Sequence, residues 1–308
     1  MNNQKLIISP VHILFLGIVA VSTASVFIRF AQEDTSSLMI SAFRMAFAFI
    51  IIFPLTIKLV LQQIHQIDKK ELLLLFLSGT FLAFHFFSWI TSLEISSVAS
   101  SAVLVTTTPI WVSLVSPIFL REKVKLQTWI GLLIALVGVV TIAISNTTGG
   151  FSSKNESTND LAYLPILGNL LALIGSWLAA GYLIVGRILR KRLFLQTYTF
   201  FVYGFAALIL FALLFVFFDE LRFPDFRVFQ WFFLLGLIPQ VIGHSCFNWA
   251  LGELPAVYVS IAILGEPIGA SVLAWVFLNE IPTGLEIIGS AFIFCGIIIA
   301  SMKRKLLS

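Results

Sequence analysis

Apolar runs about 20 residues long recur along almost the whole chain, separated by short polar breaks. A helix rises 1.5 Å per residue, so roughly 20 apolar residues are what a hydrocarbon layer about 30 Å thick demands of a spanning segment. Ten such stretches occur, at about 11–30, 38–60, 72–93, 97–119, 126–145, 162–186, 196–218, 228–250, 256–278 and 284–302. Composition supports the same reading. Charged residues make up 11% of the 308 and hydrophobic ones 59%, with a mean hydropathy of +1.03, too little charge to clothe a soluble domain of this length. The expected fold is an all-α membrane protein of ten transmembrane helices. Its first apolar run lacks a clear cleavage site and is expected to remain as a helix.

The breaks carry loop chemistry, as in Asp68-Lys69-Lys70-Glu71 and Arg121-Glu122-Lys123. The longest, from Asn146 to Asp160, is rich in Asn, Thr, Ser and Gly and reads as a linker, residues 146–161, between halves at 1–145 and 162–308. With the N-terminus inside, about fourteen Lys and Arg residues fall on the cytoplasmic side, including Lys69, Lys123 and Arg190, against four outside. That bias predicts both termini in the cytoplasm. The same short basic loops account for the net charge of +4, and no basic face is large enough to track a phosphate backbone, so nucleic acid is not an expected partner. Cys246 and Cys295 fall within apolar runs and read as packing residues rather than a disulfide or metal site.

The two halves carry an internal repeat. A shift of 158 positions brings Pro109 onto Pro267, Ser113 onto Ser271, Glu122 onto Glu280, Gly131 onto Gly289 and Gly138 onto Gly296. Five helices is an odd number, so the second copy should be inverted relative to the first. Inverted repeats place a solute site near the bilayer midplane between the halves and permit alternating access.

Few polar residues interrupt the apolar runs, and six of them are the candidate binding residues. Glu266, about eleven residues into its run beside Pro267, stands where a carboxylate costs of order 3 kcal/mol and cannot snorkel. A carboxylate next to a proline-freed carbonyl suits a cation, a proton or a substrate ammonium. Its repeat partner is Thr108, before Pro109. Arg44, about six residues from the outer end of its run, offers either a snorkelling side chain or a partner for an anion or for Glu94. His85 and His244, with Asn248, occupy related runs and complete the set, whereas Trp89 and Trp249 suit interfaces and Glu122 a helix end. No His-Glu-x-x-His, Gly-x-Ser-x-Gly or paired acidic metal motif occurs in a run, so no catalytic residue, metal or cofactor is expected.

The string Pro239-Gln240-Val241-Ile242-Gly243-His244, then Asn248-Trp249-Ala250-Leu251, Leu264-Gly265-Glu266-Pro267 and Leu278-Asn279-Glu280, resembles the second repeat of the EamA-type family of the drug/metabolite transporter superfamily. Phe43-Arg44, Thr108-Pro109 and Glu122 fit the first repeat more loosely. The resemblance implies two inverted five-helix repeats around a central cavity, in a bacterial inner membrane, exporting or exchanging a small metabolite such as an amino acid or amphipathic compound. A phosphorylated substrate is disfavoured, because Arg44 alone is deep. The expected partners are thus a small-molecule substrate and the lipid bilayer, with a homodimer left open. The rival class is a membrane-embedded sensor or accessory protein that binds a solute without moving it.

Overall fold

The computed structural model describes residues 9–96, 98–148, 164–217, 224–278 and 283–301, all of whose regular structure is helical. Local chemistry starts the helices. α1 (Pro10–Ser22) opens on a proline whose missing N–H would have been unpaired anyway. It is followed after one turn at Thr23 by α2 (Ala24–Gln32). Ser36 caps α3 (Ser37–Gln63) by accepting from the Met39 N–H. Asp68 and Glu71 form a reciprocal capping box at the start of α4 (Lys69–Ile95).

Two helical pairs are broken at repeat-related places. α5 (Val98–Val105) and α6 (Thr108–Phe119) are parted at Thr106-Thr107, and α12 (Ala256–Ile263) and α13 (Glu266–Leu278) at Leu264-Gly265. The break follows from Pro109 and Pro267, each of which lacks the N–H that would bond the carbonyl four residues back. In the first pair Thr108 replaces that donor, its hydroxyl reaching the Val105 carbonyl at 2.8 Å. Between the pairs run α7 (Leu126–Thr148), α8 (Leu164–Arg190), α9 (Leu195–Phe217), α10 (Phe226–Leu235) and α11 (Ser245–Glu253), with α14 (Gly284–Ser301) after them. α10 and α11 are joined without interruption by a π-helical segment, Gly236–His244, that contains Pro239. Wide turns of this kind arise where a regular ladder is disrupted and frequently mark functional sites.

Seven helical stretches are long and apolar enough to cross a membrane: Pro10–Gln32, Ser37–Gln66, Lys69–Ile95, Ile166–Arg190, Leu195–Phe217, Phe226–Glu253 and Ala256–Leu273. Val103–Phe119, Leu126–Ile142 and Gly284–Ala300 are shorter apolar helices. Among the described residues, seven of the ten expected stretches therefore reach full crossing length. The outward surface is apolar, with Leu55, Ile118, Val216 and Phe226 standing free, as a lipid-facing surface requires. The chain is a multi-pass integral membrane protein. Of the expected linker, residues 146–148 still belong to α7, and the rest lies outside the described residues, as does Glu280.

The core is tightly packed, with α4 antiparallel to α8 and also lying against α9. Ser96 bonds Asn169 near one end of α4, His85 meets Gly175 in its middle, and Ser78 bonds Tyr198 toward the other end. Phe43 fills the space between α3 and α10, stacked on Phe232 with ring centroids 4.9 Å apart. Repeat-related α7 and α14 cross backbone to backbone. A Cβ on Gly131 would lie 2.5 Å from the Gly296 carbonyl oxygen, and one on Gly289 would lie 2.7 Å from that of Gly138. The lower-numbered glycine of each helix faces the higher-numbered one of the other, so the two helices run antiparallel.

This crossing is sensitive to a single methyl group. Gly138→Ala, whose Cβ would strike the Gly289 carbonyl and Ile293, should lower thermal stability in detergent by about 1–3 kcal/mol. Gly284→Ala, on α14 but with nothing nearby, should be neutral or slightly stabilising.

Candidate functional site

The polar centre of the molecule is built around Arg44. The side chain is 1% exposed and does not snorkel outward, although its position in α3 would leave the stem free to try. Nor does it pair with Glu94, whose carboxylate instead accepts from the Ser37 hydroxyl at 2.6 Å. The guanidinium donates through Nε to Oε1 of Gln240 at 3.1 Å and lies over the Phe86 ring, 3.9 Å from its centroid. A cation held by a neutral amide and an aromatic face is solvated but not neutralised. Close packing delivers Gln240 to it: a Cβ on Gly236 would lie 3.2 Å from the Arg44 carbonyl oxygen, so the π-helical segment rests on the backbone of α3.

Gln240 extends this centre into a chain of hydrogen bonds. The Tyr203 hydroxyl donates to the Gln240 backbone carbonyl at 3.2 Å and accepts from Asn248 Nδ2 at 3.3 Å. The Tyr182 hydroxyl donates to Asn248 Oδ1 at 2.6 Å. Asn248 is completely buried, and these two tyrosines fix its amide orientation. The His244 ring packs against Phe86, Tyr182 and Phe247, with centroids 5.3, 6.2 and 6.1 Å away.

His85 sits next to this centre and faces the other way. Its Nδ1 hydrogen-bonds the Gly175 carbonyl at 2.9 Å, and its ring stacks on Trp89. The Trp89 indole N–H is buried without a protein partner, so this residue is not the wet interfacial anchor its residue type suggested. One residue along α8, Ser176 receives the Thr108 hydroxyl at its backbone carbonyl and the Thr107 hydroxyl at its Oγ. Thr108 thus serves the break between α5 and α6 and its docking on α8. Glu266 begins α13 at the equivalent break, where an ionised carboxylate can only accept. Its backbone carbonyl is held by the Ser22 hydroxyl at 3.1 Å, tying α13 to α1. Its carboxylate lies within electrostatic range of Arg44 and forms no ion pair with it.

Of the six residues singled out in the sequence, Arg44, His244 and Asn248 therefore share one cluster, His85 flanks it, Glu266 senses its charge, and Thr108 belongs to a neighbouring joint. Gln240, Tyr182 and Tyr203 were not singled out. A signal existed for them: an amide beside Pro239 and tyrosines several residues inside apolar runs are out of place for residues that favour water or interfaces. Glu122, expected as a helix-end residue, is a structural clamp. It pairs with Arg187 at 2.8 Å and accepts from the Ala256 N–H at 3.2 Å, while Arg187 Nη1 also caps the Leu251 carbonyl at 2.7 Å. A cavity of about 220 Å³ lies beside this clamp, between Lys123, Thr128, Pro255 and Tyr258. Cys246 and Cys295 are free thiols, and among the described residues no group of three His, Cys, Asp or Glu side chains could hold a metal ion.

An all-helical, lipid-clad bundle with a buried polar centre made from distant parts of the chain is the architecture of a membrane transporter. Residues 9–144 and 166–302 each match the EamA-like transporter family, and the chain belongs to that family. It is 25% identical over 247 residues to the uncharacterized transporter YdfC of Bacillus subtilis strain 168, covering 79% of this chain and 76% of that one. An uncharacterized transporter of Archaeoglobus fulgidus is 24% identical over 294 residues, covering 93% and 94%. A solved crystal structure shares the fold with a TM-score of 0.73 at 18% identity, covering 95% of this chain and 96% of that one.

The clamp should be expensive to open. Arg187→Met leaves Oε1 of Glu122 and the Leu251 carbonyl without their donors and should cost about 3 kcal/mol in thermal stability, whereas Glu122→Gln, which keeps an acceptor for Ala256, should cost less.

Proposed function

We propose that this protein moves a small amphipathic solute across a bacterial inner membrane by alternating access, exporting or exchanging it between two five-helix halves of opposite orientation. The observation that carries this reading is the Arg44 cluster. Its side chains come from both family-matched segments: Arg44 and Phe86 from the first, and Gln240, His244 and Asn248 from the second, with His85 and Glu266 flanking it. A site shared between two halves is covered or uncovered as they rock, whereas a site within one half would not be. The antiparallel crossing of α7 and α14, and the matching breaks before Thr108 and Glu266, support an inverted repeat with the halves at 1–145 and 162–308. In this reading the three shorter apolar helices are crossings as well, and both termini are cytoplasmic.

Glu266, at a helix break and within range of Arg44, supplies the charge that couples movement to a proton or meets a cationic group of the solute. Thr108 holds the equivalent break in the other half, so the joints that flex are the two helix interruptions.

Flux of labelled small metabolites in proteoliposomes, with and without an imposed proton gradient, tests this directly. Gradient-driven movement by the wild type that is lost in Glu266→Gln is the expected result. Equal flux by both proteins would remove Glu266 from coupling, and solute that binds without crossing would make the protein a sensor. Orientation is tested by alkaline phosphatase fusions in a bacterial host, which should be inactive after Ser308 and active after Ser152.

A further inference from the structure

Three buried nitrogen atoms without protein partners sit on neighbouring side chains of the central cluster: Nη1 of Arg44, Nε2 of Gln240 and Nδ1 of His244. Arg44 and Gln240 are 1% and 0% exposed, so neither is satisfied by bulk water. The orientation of the Gln240 amide follows from its partner. Arg44 Nε–H can only donate, so Oε1 must face it, and the amide N–H2 is thereby turned to where no protein acceptor meets it. Arg44 and Gln240 have donors left over, and His244 Nδ1 is a donor in one of its tautomers. The cluster is short of acceptors.

The neighbouring acceptors are engaged elsewhere. Asn248 Oδ1 takes the Tyr182 hydroxyl, the Gln240 carbonyl takes that of Tyr203, and the Gly175 carbonyl takes His85. Glu266 lies within electrostatic range of the guanidinium but makes no ion pair with it. What is missing is a planar, negatively charged group with several lone pairs, next to the aromatic surfaces of Tyr182 and Phe247 around His244.

We infer that Arg44 and Gln240, with His244 beside them, form a recognition site for the carboxylate of the transported solute, a small monocarboxylate with an apolar or aromatic body. This rests on the transport reading of the same cluster. A carboxylate accepts from Arg and an amide at once, through two oxygens in one plane, and neutralises the buried guanidinium. A phosphate dianion would require a second deep cation, and Arg44 is the only Lys or Arg deep within an apolar run. Because Arg44 and Gln240 lie in different family-matched segments, the carboxylate bridges the two and stands in for their direct hydrogen bond when the segments part.

The experiment uses the full chain in lipid nanodiscs, with 3-phenylpropionate, its neutral primary amide, and sodium chloride as probes, read by thermal melting and tryptophan fluorescence. The acid should raise the melting temperature and bind about tenfold or more tighter than the amide. Arg44→Lys should weaken the acid and shrink that preference, since an ammonium lacks the planar fork. Gln240→Glu supplies the missing carboxylate from within. It should raise the melting temperature of the ligand-free protein and abolish acid binding, and this variant keeps the test decisive if Arg44 variants fail to fold. Equal binding of acid and amide, no binding of the acid, protection by chloride alone, or acid preference retained in Gln240→Glu would each overturn the inference. Flux of the same pair in proteoliposomes separates the two readings. Acid and amide crossing equally would leave transport standing and remove the carboxylate site, whereas acid that binds selectively but never crosses would do the reverse.

Discussion

A guanidinium buried in a bundle jacketed by lipid-facing side chains is the constraint around which the rest of this molecule is arranged. Such a charge is costly wherever water is absent, and the protein meets that cost with a neutral amide, an aromatic face and a distant carboxylate. Each of these depends on a different element. Phe86 requires α4 to pack beside α3, Gln240 requires the π-helical segment to rest on the α3 backbone, and Glu266 requires the break that begins α13. The hydrogen bonds running from Gln240 through Tyr203 and Asn248 to Tyr182 then draw in α9, α11 and α8. One cation thereby organises six helical elements without forming an ion pair.

The second organising fact is how little side chain separates α7 and α14. Four glycines let the two backbones touch, and no aqueous hydrophobic effect drives helices together in lipid, so close van der Waals approach carries the contact. This close crossing contrasts with the interrupted pairs α5–α6 and α12–α13, where proline removes a backbone bond and the second helix begins at Thr108 or Glu266.

Much of this was legible beforehand. Apolar runs of spanning length announce membrane helices because nothing else can satisfy a backbone in hydrocarbon. Pro109 and Pro267 announce breaks because proline has no N–H to give, and the glycine pairs announce close contact. The site was legible only in part. Arg44, His244 and Asn248 stood out as polar residues in apolar surroundings, yet sequence alone left Arg44 free to snorkel or to meet Glu94, and the fold sends it to Gln240 instead. Thr108 stood out equally and serves a helix joint. Trp89 looked interfacial and has its indole N–H buried.

What the sequence by itself determined is the class of solvent, the helical architecture and the list of residues too polar for their surroundings, because each is a property of composition and local spacing. The tertiary structure decided which of those residues meet. Arg44 and Gln240 are separated by 196 positions, and no local pattern records that a π-helical segment lays one beside the other. Contacts across that distance are set by how helices cross. The crossing is set by small residues and backbone surfaces, whose effect exists only once the chain has packed.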